Sequence, residues 1–358
     1  MAKKKKKIRI KAFELVTPKI GKDTYYRNIF DYEMIDILFQ SMLGINKMDR
    51  KYIDSNNSFN LGGYGQSHDA DITEGYFLTA RYGFEQDQID IKTQQNVGKV
   101  PETNGLEAEV HFMIDRKTGL LLVQEDHNKV FNKKILGQFM RLHKSLIYPY
   151  VAKFNEINSQ SNLVIHKNSM FQVVSLPPKD FFEQLAEMDR ITHATVKLDE
   201  NTDKGSKDVS RILDDELNEN GIEEYALELK IQNKSGRAMV STFKKYFERI
   251  RELQLYDSFS VQGRLRKNGR EVTINQNSIT RDFEVEVSCN SKGVISMQDV
   301  HNEMTNIIKN ENPISAQKNN INWVMVGDNK DVKEAIQSKI AEYNERESEE
   351  TEQTEQTG

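Results

Sequence analysis

The chain has 358 residues, a formal net charge of −5 and one cysteine, Cys289. A single cysteine excludes an internal disulfide, a cysteine-based zinc site and an iron–sulfur cluster, and it fits a reducing, cytoplasmic setting. Apolar runs such as Leu120 to Val123 are far shorter than the ~20 residues a membrane-spanning helix needs, and 37% hydrophobic against 29% charged residues implies much solvated surface.

The N-terminus carries five lysines, Lys3 to Lys7, with no apolar segment behind them, so no secretory signal is expected. The run reads as a solvated tail or as a basic arm that lies on phosphates. Ile8 to Val16 reads as a strand. Met34, Ile35, Leu38, Phe39 and Met42 give Tyr32 to Leu43 a helical stripe. Residues 54–71 and 86–104 are polar and read as long connections around a strand at Gly75 to Tyr82. Leu106 to Ile114 and Gly119 to Gln124 flank the turn Asp115-Arg116-Lys117-Thr118 and make a hairpin. Leu120 to Val123 is continuously apolar, as a strand buried on both faces would be. A helix follows from about Asn132 to Phe154, with a kink or an end near Tyr148 because of Pro149.

Pro177-Pro178 places a domain boundary between about 155 and 178. The expected architecture is α+β: two mixed domains with mainly antiparallel sheets, over 1–165 and 175–344, and a disordered acidic tail over 345–358. Seven acidic residues and Arg346 alone populate Glu342 to Gly358. In the second half a short helix at Phe181 to Met188 precedes a strand at Ile191 to Leu198. Glu224 to Gln232 alternates as a half-buried strand. Met239, Val240, Phe243, Phe247, Ile250 and Leu253 mark a helix. Phe259 to Leu265 pairs through the Asn268-Gly269 turn with Arg270 to Ile274. A further strand from Thr280 to Ser288, with Phe283, Val285 and Val287 inward, leads to a helix from Met297 to Ile308.

Charge is segregated here. Asp199 to Glu224 holds ten acidic residues against three basic, a local charge of −7; Lys230 to Arg270 holds eleven basic against three acidic, a local charge of +8. Lys234, Arg237, Lys244, Lys245, Arg264, Arg266, Lys267 and Arg270 are the candidate phosphate contacts. A solvated polar face is the plain alternative, but like charges crowded on one hairpin repel each other. No zinc finger, zipper or helix-turn-helix is present, so contacts to the nucleic-acid backbone are expected, without base reading.

The search for chemistry finds little. Gly62-Gly63-Tyr64-Gly65 lacks the Lys-Ser/Thr of a phosphate loop. His68 with Asp69 and Asp71 could ligate a metal, yet three polar loop residues are common, so no metal and no cofactor are expected. The runner-up activity is a metal-dependent nuclease: Glu228 and Lys230 share one face of a strand, and Asp215 precedes them, as an Asp…Glu-x-Lys core requires. No proline precedes the aspartates, and Val209 to Leu217 reads as helix.

The order of elements resembles the DNA-binding A component of the Rex phage-exclusion system. The resemblance rests on an acidic segment followed by the strand Tyr225 to Ile231, the basic helix near Phe243 to Arg251 and the strand Ser258 to Leu265. It continues through Lys292-Gly293 into the helix from Met297, and includes the hairpin at Gly119 to Asp126 with the helix Ile135 to Leu142. It covers about two thirds of the chain by element order, with few identities. It implies a dimeric, sequence-nonspecific DNA binder in phage defence, by abortive infection or exclusion. DNA is then expected ahead of RNA, with no catalysis of its own and no membrane partner. The third reading is a non-enzymatic protein–protein interaction module.

Overall fold

In a computed structural model of the chain, the described residues are 4–22, 25–26, 29–176, 185, 187–198, 227–234, 245, 256–266, 269, 271–275, 281–291, 293–314 and 321–355. They form an α+β protein with antiparallel sheets. The main sheet has eight strands. Its path runs β11 (Gln172–Ser175), β1 (Lys4–Val16), β10 (Leu120–Gln124), β9 (Ala108–Asp115), β6 (Ile72–Arg81), β5 (Asn57–Gln66) and β4 (Tyr52–Asp54). The eighth, β16 (Asp282–Cys289), pairs with the first half of β1, while β11 pairs with its second half.

This sheet is packed on both faces. Phe13, Leu15, Phe59, Phe77, Phe112, Leu121 and Val123 point to one side. There they meet α1 (Tyr32–Gly44), α3 (Lys133–Leu142), α4 (Tyr148–Ile157) and α6 (Lys330–Glu355). Ile10, Ala12, Met113, Leu120 and Leu122 point to the other side, against Val300, Met304 and Ile307 of α5 (Met297–Asn310). The two-sided burial of Leu120 to Val123 follows, because period-two alternation sends successive apolar side chains into different cores. Pro149 opens α4 instead of merely closing the helix before it: a 3-10 turn over Lys144–Ile147 separates α3 from α4. The missing N–H of proline is harmless in a first helical turn.

One buried network ties distant parts of the chain together. Lys19, in β2 (Lys19–Ile20), places its ammonium 2.7 Å from Asp31, and both side chains are fully buried. Asp31 also caps α1, accepting from the Met34 N–H. Its own N–H donates to Thr17 Oγ1 at 2.6 Å. The Tyr150 hydroxyl stands 3.1 Å from both the Asp31 and the Glu33 carboxylates. Glu33 in turn accepts from the N–H groups of Val326 and Gly327. The Lys19 ammonium lies 4.1 Å from the centre of the Phe154 ring and 5.0 Å from that of Trp323. Burial pushes the Lys19 ammonium down and the Glu33 carboxyl up from their ordinary values, and the Asp31 charge opposes the shift of Lys19.

Four expectations change. The polar stretch 54–71 contains β5, a strand, not a loop. A glycine of β6 allows the close approach of the two strands: a Cβ on Gly75 would stand 2.3 Å from the Gly63 carbonyl oxygen. Residues 86–104 are not merely a connection, since β7 (Gln86–Ile89) and β8 (Asn96–Val100) form a hairpin. The lysine run is neither free tail nor free arm. From Lys4 on it is the start of β1, where Lys5, Lys7 and Arg9 pair with Glu286, Glu284 and Asp282 across the ladder. Finally, the expected second domain over 175–344 is not one body: β16, α5 and much of α6 within it pack with the main sheet. The helix α6 runs to Glu355 but holds no apolar residue beyond Tyr343, so the acidic tail expected over 345–358 offers nothing to a core.

The second sheet lies between these two returns, in the order β13 (Leu227–Gln232), β12 (Met188–Leu198), β14 (Tyr256–Leu265) and β15 (Glu271–Asn275). It is therefore an insertion in the sequence of the main body. The chain leaves after β11 and re-enters at β16, and the Arg281 N–H donates to the Leu176 carbonyl at 2.8 Å, so the two ends meet. Among the described residues no helix is long and apolar enough to cross a membrane.

Lys19→Met should destabilise the protein by about 3–5 kcal/mol in urea unfolding, since it leaves the Asp31 carboxylate buried without its cation. The double variant Lys19→Met, Asp31→Asn should recover part of that loss. Gly75→Ala should remove about 1–3 kcal/mol by forcing β5 from β6, read in the same unfolding experiment.

Candidate nucleic-acid interface

The second sheet is two-faced. Successive residues of a strand point to opposite sides, and the ladder aligns like with like. Lys230, Thr195, Ser260 and Asn275 form one cross-strand row, and Gln232, His193, Gln262 and Thr273 form the next. A third row holds Arg190, Arg264 and Glu271. Lys230, Gln232, His193, Thr273, Arg264 and Glu271 are exposed. The alternate positions Ile191, Ala194 and Val261 are buried. One face is thus hydrogen-bonding and cationic, and the other is apolar.

The β14–β15 ladder pairs Arg264 with Glu271, not Arg266 with Glu271 as a two-residue Asn268-Gly269 turn would set, and Asn268 itself lies outside the described residues. Gly269 takes φ +66°, and its N–H donates to the Leu265 carbonyl at 2.9 Å. Of the candidate phosphate contacts, Arg264 and Arg266 are exposed at this end of β14. Lys234 is exposed just after β13, where Asn233 anchors the chain by donating from its backbone N–H to Thr192 and from its side-chain amide to Ile191. Lys245 is helical and exposed. Arg237, Lys244, Lys267 and Arg270 lie outside the described residues, as do the acidic segment Asp199 to Glu224 and most of the expected helices at 181–188 and 235–253.

Arg264 has a partner that the sequence reading missed. Its Nε and Nη2 reach the Asp189 carboxylate at 3.0 and 2.8 Å. That hydrogen bonding holds the Asp189 carboxyl below the usual carboxylate range and raises the Arg264 guanidinium. The fork orients the guanidinium without burying it, and it sets an anion beside two like charges, because Arg190 is the direct cross-strand neighbour of Arg264. An aspartate at the start of a strand whose partner carries arginine was the available signal, but it needs the β12–β14 register to be recognised.

The nuclease core is only partly placed. Glu228 and Lys230 are two positions apart on β13, opposite Lys197 and Thr195 of β12, and Asp215 lies outside the described residues. The loop reading of a metal at His68, Asp69 and Asp71 meets competition: Asp69 pairs with Lys309 at 2.6 Å and Asp71 with Lys117. Among the described residues no group of three or more histidine, cysteine, aspartate or glutamate side chains is arranged to hold a metal ion. The Gly62-Gly63-Tyr64-Gly65 segment belongs to β5, and its Tyr64 hydroxyl donates to Asp36, which Arg116 also grips at 2.8 Å.

No protein-family model matches this chain, and no curated protein matches it.

Proposed function

We propose that this protein binds DNA through its phosphate backbone, without strong sequence preference, and that the inserted sheet is the binding element. The carrying observation is the polar sheet face on which Lys230 and Arg264 share the ladder with glutamine, threonine and histidine. Cations supply the affinity for phosphate, and the neutral donors between them position the strand. Of the residues in the two polar rows that carry Lys230 and His193, His193 alone has a ring that can stack on a base, fewer than the roughly two or three stacking side chains with which single-strand readers hold successive bases. This favours duplex DNA as the ligand. On this reading the protein acts in the cytoplasm, and the resemblance in element order to the Rex A component supports a role in phage exclusion.

Fluorescence anisotropy on two unrelated duplexes across a salt series tests the proposal. Four to six phosphate contacts would give a log–log slope of about −4 to −5 for duplex DNA, with equal affinity for both sequences. Charge reversal of Arg264, Arg266 and Arg270 to Glu should abolish binding while circular dichroism stays unchanged; undiminished affinity rejects the assignment.

Asp189→Asn provides a second measurement. It removes a competing anion from Arg264, so binding should tighten severalfold at low salt, and the gain should vanish in an Arg264→Gln background.

A further inference from the structure

A cleft of about 500 Å³ opens between the β5–β6 connection, β6 and α5 of the main body, lined in part by His68, Asp69, Glu74, His301, Asn302 and Lys309. Beside it two histidines from different elements face each other. His111 stands on β9, cross-strand from Tyr76, whose ring centre is 5.6 Å from its own. His301 stands on α5, next to the apolar stripe of Val300 and Met304. Nε2 of His301 is 3.2 Å from Nδ1 of His111.

The outer nitrogens are also occupied. Glu74 Oε2 lies 3.4 Å from His301 Nδ1, and Glu109 Oε2 lies 3.5 Å from His111 Nε2. A carboxylate favours an N–H on the nitrogen it faces, and a neutral imidazole has only one N–H. With an N–H on each outer nitrogen, both inner nitrogens present lone pairs to each other, whereas with an N–H on one inner nitrogen the 3.2 Å contact is an N–H···N hydrogen bond. In the first case the lone pairs repel unless a proton or a metal ion stands between them.

A metal ion resolves that conflict. Two imidazole nitrogens bound at 2.0–2.1 Å to a tetrahedral zinc ion stand about 3.3–3.4 Å apart, close to the spacing seen here. The flanking carboxylates occupy the place that outer-shell partners take in carboxylate–histidine–zinc arrangements, where they fix the tautomer and the ring orientation.

We propose that His111 Nδ1 and His301 Nε2 bind a divalent transition-metal ion of the zinc class at the edge of this cleft. Imidazole nitrogen suits zinc, nickel and copper and disfavours magnesium and calcium. Glu74 and Glu109 are positioning residues. The protein supplies two nitrogens, and the open coordination positions belong to water or to a small ligand in the cleft. The Asp69–Lys309 ion pair keeps a loop carboxylate of the cleft engaged elsewhere. The site is on the main body and does not depend on DNA binding by the inserted sheet.

Calorimetric titration of the tag-free, full-length chain with zinc chloride tests this directly. The expected result is one zinc ion per chain, with binding lost in His111→Gln and in His301→Gln and weakened ten- to a hundredfold in Glu74→Gln, the magnitude seen for outer-shell partners. Circular dichroism checks the fold of each variant. Should a histidine variant fail to fold, Glu74→Gln and the imidazole ¹⁵N shifts of the parent protein carry the test, since zinc must move the His111 and His301 signals. Absence of uptake overturns the proposal. So does uptake that both histidine variants retain, or a pair of imidazoles that responds to pH as one shared proton and ignores zinc.

Discussion

The Lys19–Asp31 pair is the constraint around which the main body is assembled. Two full charges removed from water are tolerated only when every remaining donor and acceptor is met. Asp31 satisfies this by serving three neighbours at once: the ammonium, the first turn of α1 and the Tyr150 hydroxyl. The ammonium is flanked by the faces of Phe154 and Trp323, where ring quadrupoles favour a cation. Because Tyr150 also meets Glu33, and Glu33 holds the backbone at Val326 and Gly327, the network joins residues about three hundred positions apart. A misplaced β2, α1, α4 or C-terminal segment would strand a charge. The geometry therefore selects one arrangement more sharply than apolar burial alone could.

The alternating and stripe-forming segments were legible in the sequence, and the physical reason is local. Met34, Ile35, Leu38, Phe39 and Met42 are all buried on α1, because a 3.6-residue period needs no knowledge of what covers it. The 3.6 and 2 periods likewise yield α5 and the strand around Val261, and the unbroken apolar run yields the strand around Leu121. What the sequence hid depends on partners. The glycines of β5 resemble loop punctuation until the Tyr76 ring of the neighbouring strand is seen to fill the space left at Gly62 and Gly63. Five lysines in a row resemble an arm until Glu284 and Glu286 stand opposite them. Lys19, in a two-residue strand, offered no pattern at all, although it is among the largest fully buried side chains.

For the candidate interface, strand periodicity and Gly269 sufficed to put Arg264 and Arg266 near one end of β14. They did not reveal that Asp189 shares Arg264, because that contact needs the cross-strand register, which the shifts in the β12–β14 ladder displace. The histidine pair was equally hidden: His111 and His301 are 190 residues apart and come from a strand and a helix that share no local motif. Charge segregation along a chain thus marks candidate cations, while the balance of each cation is decided by tertiary neighbours.

The Arg281–Leu176 hydrogen bond gives the inserted sheet a property of its own. Since the main body already brings its two attachment points together on β1, the entropy of closing the insertion is small and varies only slowly with its length. Over evolutionary time the segment between them could lengthen, shorten or be exchanged for another module with little penalty to its host. The main body is then a carrier, and the inserted sheet is its interchangeable head.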